Sequence, residues 1–372
     1  VRVASLRNFD FVLLAASLAL VAYGVVLIYS GSLASYGSTA EVLSHPVARQ
    51  IGFAAAGIAV MIAMSRLDYR ILGYAAVGLY VAALASLVFV LVIGESAYGS
   101  RRWIDIGGTL VQPSEVAKLV LVVALAKFLA DRQDQMGRPL VFLASFGIAL
   151  VPAALVFAEP DLGSAVIFGA IWLGMVIIAG ARAKHVLTFL GVALATVPFT
   201  LILALADYQR DRLALFVDPT QDSMGSGFNI LQSEIAIASG GPLGQGLTHG
   251  AQTQLDYLRT QTTDYVFSVL GEELGFVGAI LLFALFVILL FRIVRVAGAA
   301  RDPFGRLVAT GIVIFILFQV FINVGVNVRL VPVTGIPLPF ISQGGSSLLS
   351  LFVALGILQS ILLRHRAVDF SA

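Results

Sequence analysis

Residues 207–273 read DYQRDRLALFVDPTQDSMGSGFNILQSEIAIASGGPLGQGLTHGAQTQLDYLRTQTTDYVFSVLGEE, a long polar stretch in a chain that is 59% hydrophobic. Loops longer than about 12–15 residues are usually functional or disordered. The aromatic and amphipathic pieces here are what a disordered tether lacks, so the stretch reads as a folded active-site loop. Apolar residues at 230, 231, 235 and 237 or 238 predict a short helix over Asn229–Ser239, broken by Ser239, Gly240, Gly241 and Pro242. Asp256 and Asp264 follow, the second just before an apolar run, and Glu272 and Glu273 lie two turns deeper, where acids are costly unless satisfied. The glycines of GGPLGQG are not a phosphate loop, because no Gly-Lys-Ser/Thr follows them. His249 has no second His or Cys at ligand spacing and reads as a solvated loop residue.

Outward from this stretch the chain is apolar. With 372 residues, 12% charged and a mean hydropathy of +0.98, it carries more apolar surface than a water-soluble core can bury, so it reads as an all-α polytopic membrane protein. Uninterrupted apolar runs predict ten spans, near 10–30, 47–65, 71–94, 114–131, 139–158, 162–180, 186–206, 265–291, 307–328 and 342–363. The alternation of a membrane barrel is absent. Residues 11–30 follow Arg2 and Arg7 as a signal sequence would, but their length and the further spans favour a retained first helix. A net charge of +2 with no basic stripe implies no nucleic-acid partner, and the absence of cysteine rules out disulfides and thiolate metal sites. No fixed repeat or second domain is visible, so residues 1–372 read as one integral-membrane unit with its long loop at about 207–264.

Charge fixes the expected orientation. Arg2, Arg7, Arg66, Arg70, Arg132, Arg138, Arg182, Lys184, Arg292, Arg295, Arg301, Arg306, Arg364 and Arg366 fall on one side, which places both termini in the cytoplasm and the long loop outside. The outer side then collects the unusual polar residues. Arg49 opens the second span, and SAYGSRRWIDIGGTLVQPSE at 96–115 carries Arg101 and Arg102 beside Trp103. Pro113 starts the fourth helix, on which Glu115 and Lys118 share a face and can pair. Asp161, in the short turn after Glu159 and Pro160, can cap the sixth. The last outer connection, NVRLVPVTGIPLPFISQGGSS at 327–347, is rich in proline and glycine, and its backbone must be buried in protein or line a cavity rather than face lipid.

Three blocks resemble one family, the SEDS proteins, whose members include RodA, FtsW and SpoVE. They are RRWIDIGGTLVQPSEVAK at 101–118, EPDLGSA from Glu159, and TTDYVFSVLGEELG at 262–275 running on to NVRLVPVTGIPLPFISQGGSS. The resemblance covers nearly the whole chain, and GAQTQLDYL at 250–258 looks more like the RodA branch, which serves elongation and cell shape, than the FtsW branch. It implies a ten-helix peptidoglycan glycosyltransferase of the bacterial inner (plasma) membrane. Such an enzyme polymerises lipid II, the undecaprenyl-pyrophosphate-linked disaccharide pentapeptide, with a class B penicillin-binding protein and other elongation-complex membrane proteins as partners. The family's essential acid matches Asp264. The family often reads Leu-Pro-Glu-x-His-Thr-Asp there, whereas this chain has Arg259, Thr260 and Thr262 at the proline, glutamate and histidine positions, and Gln343 where an aromatic is common.

If lipid pyrophosphate is displaced from a sugar C1 by a sugar hydroxyl, the leaving group already carries its charge well. The acid–base pair of glycoside hydrolases then reduces to one base, for which Asp264 is the candidate. Arg49, Arg101, Arg102 and Lys118 are candidates for the pyrophosphate, with Glu115 orienting Lys118 and with Gln112, Ser114, Asp161 and Glu272 in support. A divalent cation, Mg²⁺ or Mn²⁺, between Asp264 and the pyrophosphate is left open. Bland alternatives stand beside these: Asp264 as a helix cap, Glu115 with Lys118 as a structural pair, Arg101 and Arg102 as headgroup anchors, and Glu272 and Glu273 as partners for backbone or hydroxyl groups. So do two other functions, a lipid II flippase or transporter and a non-catalytic scaffold of the wall-synthesis complex.

Overall fold

The computed structural model describes residues 9–36, 38–97, 100–106, 109–203, 207–222 and 225–364. In a bilayer core every backbone polar group must be satisfied within the protein, which leaves helices as the spanning form for apolar runs of this length. Ten long helices match the ten expected spans: α1 (Phe11–Tyr36), α2 (Thr39–Arg66), α3 (Arg70–Ile93), α4 (Pro113–Asp131), α5 (Pro139–Ala158), α6 (Leu162–Ile178), α7 (Ala183–Leu203), and, beyond the long loop, Val266–Ala299, Pro303–Asn327 and Gly345–Leu363. Seven of them are long and apolar enough to cross a membrane by length and composition alone. Proline at the first turn starts α4 and α5, and Asp161 caps α6 by accepting from Ser164 N at 3.0 Å.

The loop between α7 and the next span is folded, as expected. It contains α8 (Asp207–Val217), α9 (Ser226–Gly240) and the single turn α10 (Ala251–Gln254) before α11 (Val266–Ala299), α12 (Pro303–Asn327) and α13 (Gly345–Leu363) complete the chain. Helix α12 packs on α4, α6 and α11, α13 packs on α2, and α9 lies against α11. At one end of the bundle Arg292 pairs with Asp10 at 2.6 Å and Arg364 donates to the carbonyls of Ser65 and Arg66. The loop helices and the N-terminus of α11 form the other end.

Two features were not expected. The outer connection after α3, to which the sequence assigned no structure, is a three-stranded antiparallel sheet, β1 (Glu95–Ala97), β2 (Ser100–Ile106) and β3 (Thr109–Val111), whose short strands give too little alternation to stand out from sequence. Helix α11 is broken at Gly275 (φ 63, ψ −158), and the GGPLGQG run fills the break. Phe276 N and Val277 N donate to the carbonyls of Gly241 and Pro242, while Gln245 N and Gly246 N donate to those of Glu272 and Glu273. The glycines are there for close approach: a Cβ on Gly244, which sits at φ +79, would stand 2.1 Å from Glu273 O.

Candidate active site

Asp264 sits two residues before α11, at the end of the bundle away from Arg292. Thr260, at φ +56, offers its carbonyl to the N–H groups of Thr263 and Asp264, which makes a tight turn into the helix. Opposite lies the irregular stretch before α13. Gly335 (φ +71) is placed so that a Cβ on it would lie 3.7 Å from Asp264 Oδ2 and 3.9 Å from Arg102 Nη1. A side chain here would be strained by the positive φ, and its Cβ would stand in ordinary contact with both charges. This stretch is buried through Thr334, Ile336, Leu338, Phe340 and Ser342, as its composition demanded.

The charges form one cluster drawn from four segments. Arg102 on β2 faces Asp161 at 3.6 Å, with side-chain exposures of 12% and 2%. Asp161 also accepts from Gln112 Nε2 at 3.1 Å, which ties Gln112 to the same carboxylate. Arg212 on α8 donates to Val333 O at 3.3 Å. Asp264 keeps some open surface although dense protein surrounds it. That desolvation pushes its carboxyl up to about 6, with Arg102 and Arg212 pulling it down and Asp161 pushing it further up. Glu159 is wholly buried, and neither carboxyl oxygen has a hydrogen-bond partner among the described residues. Burial raises it to about 8, and Asp161 adds to the rise against the pull of Arg102. It is therefore largely neutral at pH 7.

The remaining expected residues lie elsewhere. Lys118 and Glu115 pair at 2.7 Å inside the bundle, and the ammonium also stands 5.2 Å from the Phe315 ring centroid. Their exposures are 0% and 2%, and Lys118 is not among the charges acting on Asp264, so the pair stands apart from the Asp264 cluster. Ser114 is buried beside them, and its hydroxyl has no partner among the described residues. Arg49 is exposed on α2, outside the cluster. Arg101 is in β2, but its side chain lies outside the described residues. Glu272 accepts from Gln252 N, Thr253 N and Thr253 Oγ1, and Glu273 accepts from Ser30 Oγ, so both acids satisfy backbone and hydroxyl groups and tie the loop to α11 and α1. His249 is exposed in the loop.

Two departures from the family pattern turn out to be neighbours. Thr262 Oγ1 donates to Gln343 Oε1 at 3.1 Å, and Gln343 N donates to Thr262 O at 2.8 Å. Sequence reasoning missed Arg212, Glu159 and two amides on α12, Asn323 and Asn327, that hold the Asp264 carbonyl. Their signal was available: amides one turn apart in an apolar helix mark helix–helix contacts. Beside the cluster, an apolar groove of about 170 Å³ runs between α2, α4 and α13, lined by residues including Phe53, Val111, Val116, Leu349 and Val353. Gln112 N donates to Ser346 Oγ on its rim, which joins the groove to the segment carrying Gln112.

Comparison with known proteins bears on this arrangement. The family model described as a cell cycle protein, covering FtsW, RodA and SpoVE, matches residues 11–367. A probable peptidoglycan glycosyltransferase FtsW of Geobacter metallireducens is 37% identical over 97% of this chain and 96% of its own length. The peptidoglycan glycosyltransferase MrdB of Escherichia coli K12 is 36% identical over 95% of this chain and 93% of its own. A solved structure described as "Structural coordination of polymerization and crosslinking by a peptidoglycan synthase complex" superposes with a TM-score of 0.81 at 30% identity, over 96% of this chain and 99% of that one.

Proposed function

The chain belongs to the SEDS (FtsW/RodA/SpoVE) family of membrane peptidoglycan glycosyltransferases, and from that premise we propose that it polymerises lipid II with Asp264 as its base. The single observation that carries the residue assignment is the convergence of an acid raised to about 6 with Arg102 and Arg212 at one mouth of the bundle. In the reaction, the acceptor sugar hydroxyl attacks C1 of the donor sugar and the bond from C1 to the pyrophosphate oxygen breaks. Asp264 takes the hydroxyl proton, and undecaprenyl pyrophosphate leaves. A base with a pKa near 6 is mostly ionised at pH 7 yet basic enough to help. Arg102 and Arg212 face the pyrophosphate as charge develops on it. The polyprenyl chain lies along the apolar groove beside Gln112, so that head group and tail are held by adjoining surfaces.

A Mg²⁺ ion needs only one or two carboxylates together with phosphate oxygens. Asp264, with its open face, is the residue that would hold one, and the ion would neutralise charge on the pyrophosphate. The steps above use this chain's own residues.

The positive-inside pattern supports a cytoplasmic position for both termini and an extracytoplasmic site on the bacterial plasma membrane. GAQTQLDYL supports a role in elongation, with a class B penicillin-binding protein as cross-linking partner; identity to relatives of the two branches is nearly even. On this reading, depletion of the protein gives rounded cells, whereas filaments with unfinished septa would assign it to division. The activity itself is tested with purified protein, a transpeptidase-dead class B partner and lipid II. Glycan polymer is expected, whereas flipping in liposomes without polymer, or neither, would replace the enzyme by a transporter or a scaffold.

A further inference from the structure

The first turn of α11 is split by a side chain. In a helix continued back through Asp264, the Asp264 carbonyl would accept from Ser268 N. Instead Ser268 N donates to Tyr265 O at 3.0 Å, and Asn327 of α12 stands between it and Asp264: its Nδ2 donates to Asp264 O at 2.9 Å, and its Oδ1 accepts from Ser268 N at 3.1 Å and from Ser268 Oγ at 2.6 Å. Asn323, one turn away on the same face, adds a second donor to Asp264 O at 3.1 Å and gives its other N–H to Ile336 O at 2.8 Å. Both amides are about 1% exposed. Each NH₂ faces two carbonyls, since Asn327 Nδ2 also donates to Asn323 O at 2.8 Å, so the amide orientations are set by their neighbours. The two preceding carbonyls are taken as well, Thr262 O by Gln343 N and Thr263 O by Ser342 Oγ. With three successive carbonyls clamped, the backbone of the Thr262–Asp264 turn is fixed.

We propose that Asn327, seconded by Asn323, is a positioning residue of the reaction: its amide replaces the bond that would wind Asp264 into the helix, and so holds the carboxylate against Gly335 and Arg102. Without it, Asp264 O draws Ser268 N away from Tyr265 O, the helix extends back to Asp264, and the carboxylate swings around the axis away from both arginines. The buried clamp explains why an apolar helix carries two amides here, and the Asn323 bond to Ile336 O couples the same clamp to the Gly335 segment.

The inference rests on the reading of Asp264 as the base, and the test separates the two. Lipid II polymerisation by the complex with the class B partner is measured against pH and substrate for the wild type, Asn327→Leu, Asn323→Leu and Asp264→Asn. For Asn327→Leu the expected result is a fall in kcat of about 100-fold. KM for lipid II stays within about 3-fold, and the acidic limb moves below its wild-type position as the carboxyl reaches water. Asn323→Leu, which removes the second donor to Asp264 O together with the bond to Ile336 O, leaves the Asn327 bond in place and moves the limb in the same direction by less. Should Asn327→Leu fail to fold, Asn323→Leu decides alone. A limb left at its wild-type position, or a kcat loss matched by a rise in KM, would overturn the positioning role. Wild-type polymerisation by Asp264→Asn would overturn the reading of Asp264 itself. An inactive Asp264→Asn beside a kinetically normal Asn327→Leu would sink the positioning proposal alone.

Discussion

Asp264 and its two arginines make a prediction that can be read in sign as well as size. Arg212 lowers the Asp264 pKa, so Arg212→Ala should move the acidic limb of the polymerisation profile upward from about 6, and KM for lipid II should rise roughly 10-fold as one charge-assisted contact is lost. A pH–rate profile at several substrate concentrations checks both. At this scale the sequence shows what is local and hides what is distant. Asp161 as a cap and Glu115 with Lys118 as a pair are legible because their partners lie within one helical turn. Arg212 and Asn327 are not, because their roles arise only when α8 and α12 are folded against the turn before α11. Lys118 shows the opposite case. Its charge looks available in the sequence, but a buried ammonium is stable only when paired, and Glu115 holds it.

Among the elements, the broken helix α11 is the part that most exceeds a reading of hydrophobic runs. The break at Gly275 frees backbone groups at membrane depth, and the GGPLGQG run supplies their partners. Gly244→Ala should therefore cost roughly 1–3 kcal/mol, from the strain of a side chain at positive φ and the shift needed to clear Glu273 O. Thermal unfolding of the purified protein in detergent measures it, and an unchanged midpoint would mean that the junction gives way easily. The run was legible as a breaker, through its glycines and proline, but its partner was not, since nothing in an apolar stretch announces a single missing turn. The small sheet at 95–111 was hidden for a related reason: three short strands satisfy one another locally and need no long alternating pattern.

For the whole molecule, apolar length predicts the ten long helices closely, because in a bilayer the hydrogen-bonding constraint leaves few alternatives. Orientation rests on arginines and lysines gathered at one end, and the absence of cysteine makes it directly testable. In an Arg259→Cys variant, exposed in the outer loop near Asp264, a membrane-impermeant thiol reagent should label intact spheroplasts, whereas Gln135→Cys, exposed between α4 and α5, should label only after permeabilisation. The reverse pattern would turn the site to the cytoplasm. On the proposed mechanism a carboxylate at the mouth of this bundle takes a proton from a sugar hydroxyl of lipid II. Its most direct test is the rate of glycan polymerisation from pH about 5 to 8 by the purified complex, at saturating lipid II, for the wild type and Asp264→Asn. The wild-type rate should climb with pH through about 6 as the Asp264 carboxylate forms, and the variant should fall about 10²–10⁴-fold below it at pH 7. A variant that polymerises at the wild-type rate with the same pH profile would contradict the account.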